Sequence, residues 1–167
     1  MLDRKSVLKR ERPDSSEKVD VGECGAGKIR TLSSVMSRNL RMVGEHASVG
    51  DALKLMRENS IRHVLVVEEG TNCLKGVLSD RDVRAILSPF VGTSQAEDRD
   101  NATLGIQVNG IMKRPALVAK PDDSLRKAAE LMLQKRVGCI PVVDDNNRPV
   151  GIVTTKDLLR ELLNFLP

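Results

Sequence analysis

The sequence predicts an α/β fold built from two copies of one β-α-β-β-α unit, packed on each other about a pseudo-twofold axis. The chain repeats itself after 76 residues, and the apolar residues of both copies pass from helical to strand spacing in the same order. Each copy spans about 55 residues, which is too short to bury a stable core alone, so the two copies must pack together.

The repeat is carried by identical residues at equivalent positions. With the offset of 76, Met36 aligns with Met112, Arg38 with Arg114, Ser48 with Ser124, Ala52 with Ala128, and Leu55-Met56 with Leu131-Met132. After the acidic turn the offset becomes 75, which aligns Gly76 with Gly151 and Asp82 with Asp157. A one-residue slip inside a surface turn is tolerated, so the two copies keep one architecture.

Each unit is predicted to begin with a short strand, at residues 40–43 and 116–119. A helix follows, and Ser48 and Ser124 are good N-caps for it. Its apolar residues recur at i, i+3, i+4 and i+7, which is one buried stripe on an amphipathic helix. Two further strands are predicted at 63–67 and 75–78 in the first copy, and at 139–143 and 150–153 in the second. The last helix carries Val83, Ile86 and Leu87, or Leu158, Leu159, Leu162 and Leu163.

The regions outside the repeat are polar. Residues 1–30 lack sustained periodicity, which predicts a flexible tail, followed by the first unit at 31–88. Residues 89–107 are rich in small and acidic residues and are interpreted as a linker to the second unit at 108–167.

Composition argues against several classes of protein. The aromatic residues are Phe90 and Phe165, so single-stranded bases lack stacking platforms, and the net charge of +4 is spread along the chain. This composition therefore argues against nucleic acid as a partner. No apolar run reaches the ~18 residues that a membrane span needs. Three cysteines without a CxxC pair, together with two histidines, argue against a metal site or a disulfide framework and favour a cytoplasmic protein.

The repeated motifs resemble a known family. The runs VMSRN, GDALKLM, IRHVLVVEE and GVLSDRDV, followed by IMKRP, RKAAELM, VGCIPVVDD and GIVTTKDL, resemble two CBS domains in tandem over about residues 31–164. The resemblance implies a regulatory module, not an enzyme, that binds AMP, ADP, ATP or S-adenosylmethionine between its repeats. It also implies a homodimer that acts in trans on a regulated protein of unknown identity, with no required cofactor.

The strand-to-helix junctions are the leading candidate site. Their residues are Ser79, Arg81 and Asp82 in the first unit, and Thr154, Lys156 and Asp157 in the second. One interpretation is a capping box, which stabilises a helix start and needs no ligand. The other is a nucleotide site, because a helix start attracts phosphate and the family pattern places the aspartate on the ribose hydroxyls.

The start of the second strand supplies further candidates. Arg62 and His63 lie where similar domains often face phosphate, although a solvated arginine beside a half-buried histidine explains them equally well. The second copy has Gly138 and Cys139 there, so two working sites would be unequal, with phosphate in the first unit and adenine in the second. The apolar candidates for an adenine wall, which core packing explains better, are Ile140, Val64, Ile152 and Val77.

Two other functions remain open from the sequence. The chain could be a ligand-free interaction scaffold with the same fold, or a nucleic-acid-binding protein that uses its basic tail. The run from Gly22 to Lys28 matches GxxxxGK, the start of a phosphate-binding P-loop. We reject that interpretation because Ile29 stands where Ser or Thr is needed and the preceding residues are charged.

Overall fold

The computed structural model describes residues 30–89, 91, 94, 98–114, 116–164 and 166. The predicted tail, with its GxxxxGK run, therefore lies outside the described residues apart from Arg30. The first unit contains β1 (Met42–Gly44), α2 (Val49–Glu58), β2 (His63–Val67), β3 (Leu74–Ser79) and α3 (Asp80–Ile86), after a short helix α1 (Leu32–Val35). The second unit contains α5 (Leu125–Lys135), β4 (Cys139–Val143), β5 (Pro149–Thr154) and α6 (Thr155–Leu163), and α4 (Asp98–Ala102) lies between the units.

The last two strands of each unit pair in the same way. In the first unit β1 runs parallel to β2, and β2 runs antiparallel to β3 with His63 opposite Ser79. In the second unit β4 and β5 are antiparallel with Cys139 opposite Thr154. This register places the start of β2 beside the start of α3, and the start of β4 beside the start of α6. The two junctions are therefore at equivalent positions in the two units.

The predicted strand at 116–119 is not formed, and this expectation is corrected. Ala119 makes an isolated parallel bridge to Val142, with hydrogen bonds from Ala119 N to the Pro141 carbonyl and from Val143 N to the Ala119 carbonyl, both 3.0 Å. The segment stands between two prolines in the sequence, which lack the amide hydrogen that a ladder needs. The first unit has no such restriction and forms β1.

The helix α2 buries its whole predicted stripe, whereas α5 buries Ala128 and Met132 and leaves Leu125 and Ala129 half-buried. Val49, Ala52 and Met56 of α2 are at most 2% exposed, and Ala128 and Met132 of α5 are at most 4% exposed. Ser48 caps α2 by accepting from Asp51 N at 3.1 Å, and Ser124 caps α5 by accepting from Lys127 N at 3.2 Å. The caps begin the helices where the sequence predicts, and the apolar faces cover the sheets.

The opening segment of each unit packs into the core of the other unit. Leu32 and Met36 belong to the apolar core of the second unit, while Val108 and Met112 belong to that of the first. The backbone follows the same exchange. Ser37 N donates to the Ile152 carbonyl at 2.9 Å, and Lys113 N donates to the Val77 carbonyl at 2.9 Å.

The exchange obeys the repeat, which is direct evidence for the pseudo-twofold axis. Bridges link residue 37 to 152 and residue 77 to 113, positions that the repeat makes equivalent. A Cβ at Gly76 would lie 2.7 Å from the Met112 sulfur, and a Cβ at Gly151 would meet Met36 at least as closely. The repeated methionine therefore lies on the repeated glycine of the other unit, where a larger residue has no room.

A smaller apolar cluster joins the two sheets. Leu65, Leu74 and Val143 are each at most 7% exposed and contact one another. Beside them, Leu74 N donates to the Asn147 carbonyl at 2.9 Å and the Asn147 side-chain amide donates to the Leu74 carbonyl at 3.1 Å. The two units thus form one packed body.

The segment interpreted as a linker takes part in this packing. It contains α4 and a 3₁₀ turn at Thr103–Gly105, and Leu104 packs against the first core. Val49 N also donates to the Ile106 carbonyl at 2.8 Å. Within the described ranges, none of the helices is long and apolar enough to cross a lipid bilayer.

Candidate functional site

Asp82 lies at the first of the two predicted junctions, at the beginning of α3. Its carboxylate accepts from Ser79 N at 3.0 Å and from the Ser79 hydroxyl, while Asp82 N donates back to the Ser79 Oγ at 3.3 Å. This is the capping box that the sequence predicts. It uses one carboxylate oxygen, Oδ2, and leaves Oδ1 for another partner.

That second partner is Lys113, which comes from the opening segment of the other unit. Its Nζ lies 3.3 Å from Asp82 Oδ1, and the Asp82 side chain is 16% exposed. Burial raises the pKa of Asp82, but the hydrogen bonds from Ser79 and the charge of Lys113 outweigh it, so the net pKa is lowered from its ordinary value. Asp82 is therefore a carboxylate at neutral pH, held by an ion pair between the units.

Asp157 occupies the equivalent place at the beginning of α6. Its Oδ2 accepts from Thr154 N at 2.8 Å and from the Thr154 hydroxyl at 2.7 Å. Its Oδ1 accepts from Arg160 of the same helix at 3.2 Å, and the side chain is 13% exposed. The repeat places Ser37 where the first junction has Lys113, so the charge of this junction comes from within its own unit.

His63 lies between the two units. It is half-buried, and a Cβ added at Gly138 of the other unit would lie 3.2 Å from its Nε2. Burial lowers the pKa of His63, and the positive charges of Arg62, Lys113 and Arg81 lower it further against the opposing effect of Asp82. The imidazole is therefore neutral near pH 7, and it can accept a proton when an anion arrives.

Cys139 is the counterpart of His63 in the second unit. It is 6% exposed, and burial raises the pKa of its thiol to about 12, with Lys113 and Asp82 close enough to influence it. A protonated, buried thiol is inert as a nucleophile. Cys139 therefore offers the first junction an apolar wall.

The remaining polar candidates lie on the surface. Arg81 and Lys156 are exposed at the first turns of α3 and α6. Arg62 is also exposed, and it lines a cavity of about 500 Å³ between α2 and α3, on the outer side of the first unit. The structure therefore brings Ser79, Asp82, His63 and Cys139 together, with Arg81 near them, and it groups Thr154 with Asp157.

The apolar candidates divide between core and interface. Ile140 and Val64 are fully buried within the cores of their units, so they are core residues. Val77 and Ile152 are partly buried and pack on the cluster that joins the sheets.

Sequence reasoning missed Lys113. The sequence shows that Lys113 directly follows the repeated Met112. The order of residues along the chain does not indicate, however, that this segment packs against the other unit. The difference between Ser37 and Lys113 at one repeat position was the available signal. Chemically, the first junction offers a carboxylate for hydroxyl groups and an ammonium for phosphate within one hydrogen-bonded group.

Comparison with known proteins agrees with this architecture. The profile of the CBS domain family matches residues 32–89 and 108–164. A CBS domain-containing protein of Dictyostelium discoideum is 35% identical over 136 residues, which cover 81% of this chain and 92% of that protein.

Solved structures share the fold. The structure of CBSX2 in complex with AMP has a TM-score of 0.66 at 30% identity, covering 81% of this chain and 97% of that one. The CBS domain pair of protein MJ0100, solved with 5′-methylthioadenosine and S-adenosyl-L-methionine, has a TM-score of 0.69 at 24% identity, covering 83% of this chain and all of that one. The chain therefore belongs to the CBS domain family, and its two repeats are a tandem pair of CBS domains.

Proposed function

We propose that this chain is a regulatory sensor that binds an adenine nucleotide between its two CBS domains, with Asp82 on the ribose hydroxyls. The observation that carries the proposal is the group formed by Asp82, Lys113 and His63, which combines an acceptor for hydroxyls, a cation and a titratable base between the units. CBSX2, a relative at 30% identity, was solved with AMP, which supports the ligand class.

The binding step follows from the partners of Asp82. Ribose hydroxyls can donate to the carboxylate and replace Lys113, whose ammonium then becomes available to the phosphate. Charge-assisted hydrogen bonds of this kind contribute about 1.5–3 kcal/mol each. Because Lys113 comes from the other unit, the exchange of partners alters a contact between the units, which gives the ligand a means to shift their arrangement.

The two junctions are proposed to be unequal. Lys113 and His63 make the first one suited to phosphate, while Ser37 and the charge pair of Asp157 with Arg160 make the second one less cationic. The second site accordingly takes the less charged compounds of the same class. The sensor acts on another protein in trans, and we propose that it does so as a cytoplasmic, non-catalytic homodimer.

Thermal unfolding with AMP, ADP, ATP and S-adenosylmethionine tests the proposal. A ligand at 100 times its dissociation constant stabilises the folded state by about 2.7 kcal/mol, which is a rise in Tm of about 5–10 °C for a chain of this size. The rise should disappear in the Asp82→Ala/Asp157→Ala double variant, each protein being compared with its own ligand-free Tm.

Asp51→Ala is the matched control. Asp51 completes the same kind of capping box with Ser48 at the beginning of α2, so its loss costs a cap without removing a candidate ligand contact. The control should keep the full nucleotide response. If none of the four compounds raises the Tm of the wild type, the scaffold interpretation replaces the sensor. If Asp51→Ala loses the response as well, or if the double variant keeps it, the assignment of the site to Asp82 and Asp157 is wrong.

A further inference from the structure

His63 is a titratable side chain at the boundary between the two units. It begins β2 opposite Ser79 of β3, and a Cβ at Gly138 of the second unit would lie 3.2 Å from its Nε2. The ring is half-buried, and within the described part of the chain neither ring nitrogen has a hydrogen-bond partner. The imidazole is therefore available to a group that enters beside Asp82.

The groups that face His63 carry more positive than negative charge. Burial lowers the pKa of His63 first, and three cations lower it further against one carboxylate, so the ring is neutral at pH 7. The cysteine beside Gly138 adds no charge, because burial raises the pKa of its thiol to about 12. These groups come from both units and are Arg62 before β2, Arg81 and Asp82 on α3, Lys113 in the opening segment of the second unit, and Cys139 on β4.

The phosphate of a nucleotide reverses this balance of charge. When ribose hydroxyls bind Asp82, Lys113 is released from its 3.3 Å contact with that carboxylate and can bind the phosphate beside His63. A phosphate monoester carries a charge of about −1.5 to −2 at pH 7, and an opposite charge within about 4–6 Å favours the charged form of an imidazole. The protonated ring then donates a charge-assisted hydrogen bond to a phosphate oxygen. Phosphate and proton therefore strengthen each other's binding.

The second unit has no equivalent titratable group. The repeat places Cys139 at the position of His63 and Gly138 at that of Arg62. A thiol with a pKa of about 12 does not titrate near neutral pH. The chain's other histidine, His46, is exposed in the turn between β1 and α2. Proton uptake is therefore expected at the first junction alone.

We propose that the first junction binds a phosphate-bearing adenine nucleotide together with one proton, which His63 takes up, so that the sensor responds to pH as well as to the nucleotide. The inference rests on the proposed function and adds a regulator to the same site. It also makes His63 the residue that separates phosphate-bearing from phosphate-free adenosine compounds. Because the bound ring holds its proton at higher pH than the free ring, affinity should increase as pH falls between those two values.

Isothermal titration calorimetry with AMP, ADP and ATP tests the inference. Titrations at pH 7.0 in PIPES and in Bis-Tris, whose ionisation enthalpies differ, give the number of protons taken up. We expect uptake of about half a proton for each nucleotide bound, and a Kd about three to ten times lower at pH 6.5 than at pH 7.5. Adenosine, which lacks the phosphate, should bind without uptake.

His63→Gln keeps a hydrogen-bonding side chain that does not titrate. It should bind the nucleotides more weakly at pH 6.5, without proton uptake, and its Kd should change less than about twofold between the two pH values. His46→Gln is the matched control and should behave as the wild type. The nucleotide's own phosphate titrates equally in both variants, so it cannot produce a difference between them.

Proton NMR of the two imidazoles gives a second readout that needs no change at His63. Saturating AMP should raise the pKa of His63 by about one unit or more and leave that of His46 in place, with the signals assigned by His46→Gln. The inference is overturned if a nucleotide binds without proton uptake, or if His63→Gln retains the uptake. It also falls if none of the three nucleotides binds, and the Tm response to the four compounds then decides separately whether the proposed function fails too.

Discussion

Asp82 and Asp157 hold equivalent positions, yet each binds a cation of different origin. Lys113 reaches Asp82 from the other unit, whereas Arg160 reaches Asp157 from the same helix. The aspartates and their hydroxyl partners could be predicted, because a capping box is a local pattern of four residues. The contact of Lys113 with Asp82 could not be predicted, because it depends on how a segment distant in sequence packs against the first unit.

The pH dependence of the free energy of unfolding should reveal the lowered pKa of His63. Its folded-state pKa is lowered from the ordinary 6.5, so the unfolded chain binds more protons as pH falls through that value. The free energy of unfolding should therefore decrease between pH 7.5 and 5.5, a range above the titration of the carboxylates. Urea denaturation at both pH values measures it.

His63→Gln should show a smaller decrease over the same range, because the variant has no imidazole to protonate at that place. His46→Gln serves as the matched variant for the chain's other histidine and should retain the wild-type decrease. Equal decreases in the wild type and in His63→Gln would contradict the assignment.

At the scale of elements, long periodic segments were predictable and short irregular ones were not. The bounds predicted for β2 and β4 are confirmed, and β3 and β5 are each longer than predicted at both ends. The helices α1 and α4 have four and five residues, and the 3₁₀ turn at Thr103–Gly105 has three, which are too few to display a period. The strand at 116–119 was wrong because proximity to prolines outweighed its apolar pattern.

The contact of Met36 with Gly151 gives a prediction for these elements. Gly151→Ala would place a Cβ within 3.1 Å of the Met36 Cβ, and closer still to its Cγ, so the exchanged segment must move. We expect the free energy of unfolding to fall by about 1–3 kcal/mol, as for other overpacked cores. Urea denaturation measures the change.

Gly105→Ala is the control, since a Cβ at Gly105 would meet nothing within 4 Å. It should change the free energy by no more than about 0.5 kcal/mol. In the Met36→Ala/Gly151→Ala double variant the two effects should be less than additive. Strict additivity would show that the methionine and the glycine do not act through their contact.

At the scale of the whole molecule, the second unit carries an exposed apolar surface. Five leucines of the second unit are 52–79% exposed: Leu133, Leu159, Leu162, Leu163 and Leu166. Three of them share one face of α6 by their i, i+3 and i+4 spacing. An apolar surface of this kind marks an interaction site, and the proposed homodimer would bury it against its own copy.

Light scattering during size-exclusion chromatography tests this role. The wild type should elute with the mass of a dimer, and Leu159→Lys/Leu163→Lys should elute as a monomer, because two charges cannot be buried in an apolar interface. Ile106→Lys, at an apolar residue that is 40% exposed elsewhere, should remain a dimer. A monomeric wild type would leave the leucine surface to another partner.

The sequence predicted two units and their pseudo-twofold relation, since both follow from the repeat. It did not predict that each unit completes the core of the other, because periodicity describes which residues are buried and not against which segment. That information depends on the path of the chain between residues 30 and 37 and between 103 and 113.

This reciprocal packing makes the two repeats inseparable in folding. A single repeat produced alone would lack the methionine that packs on its third strand. Its own opening segment would extend from the unit without a core to pack against. It could complete its core only by exchanging opening segments with a second molecule, as in a domain-swapped dimer. The tandem arrangement converts that bimolecular requirement into an intramolecular one, so the halves should gain or lose their structure in a single cooperative step.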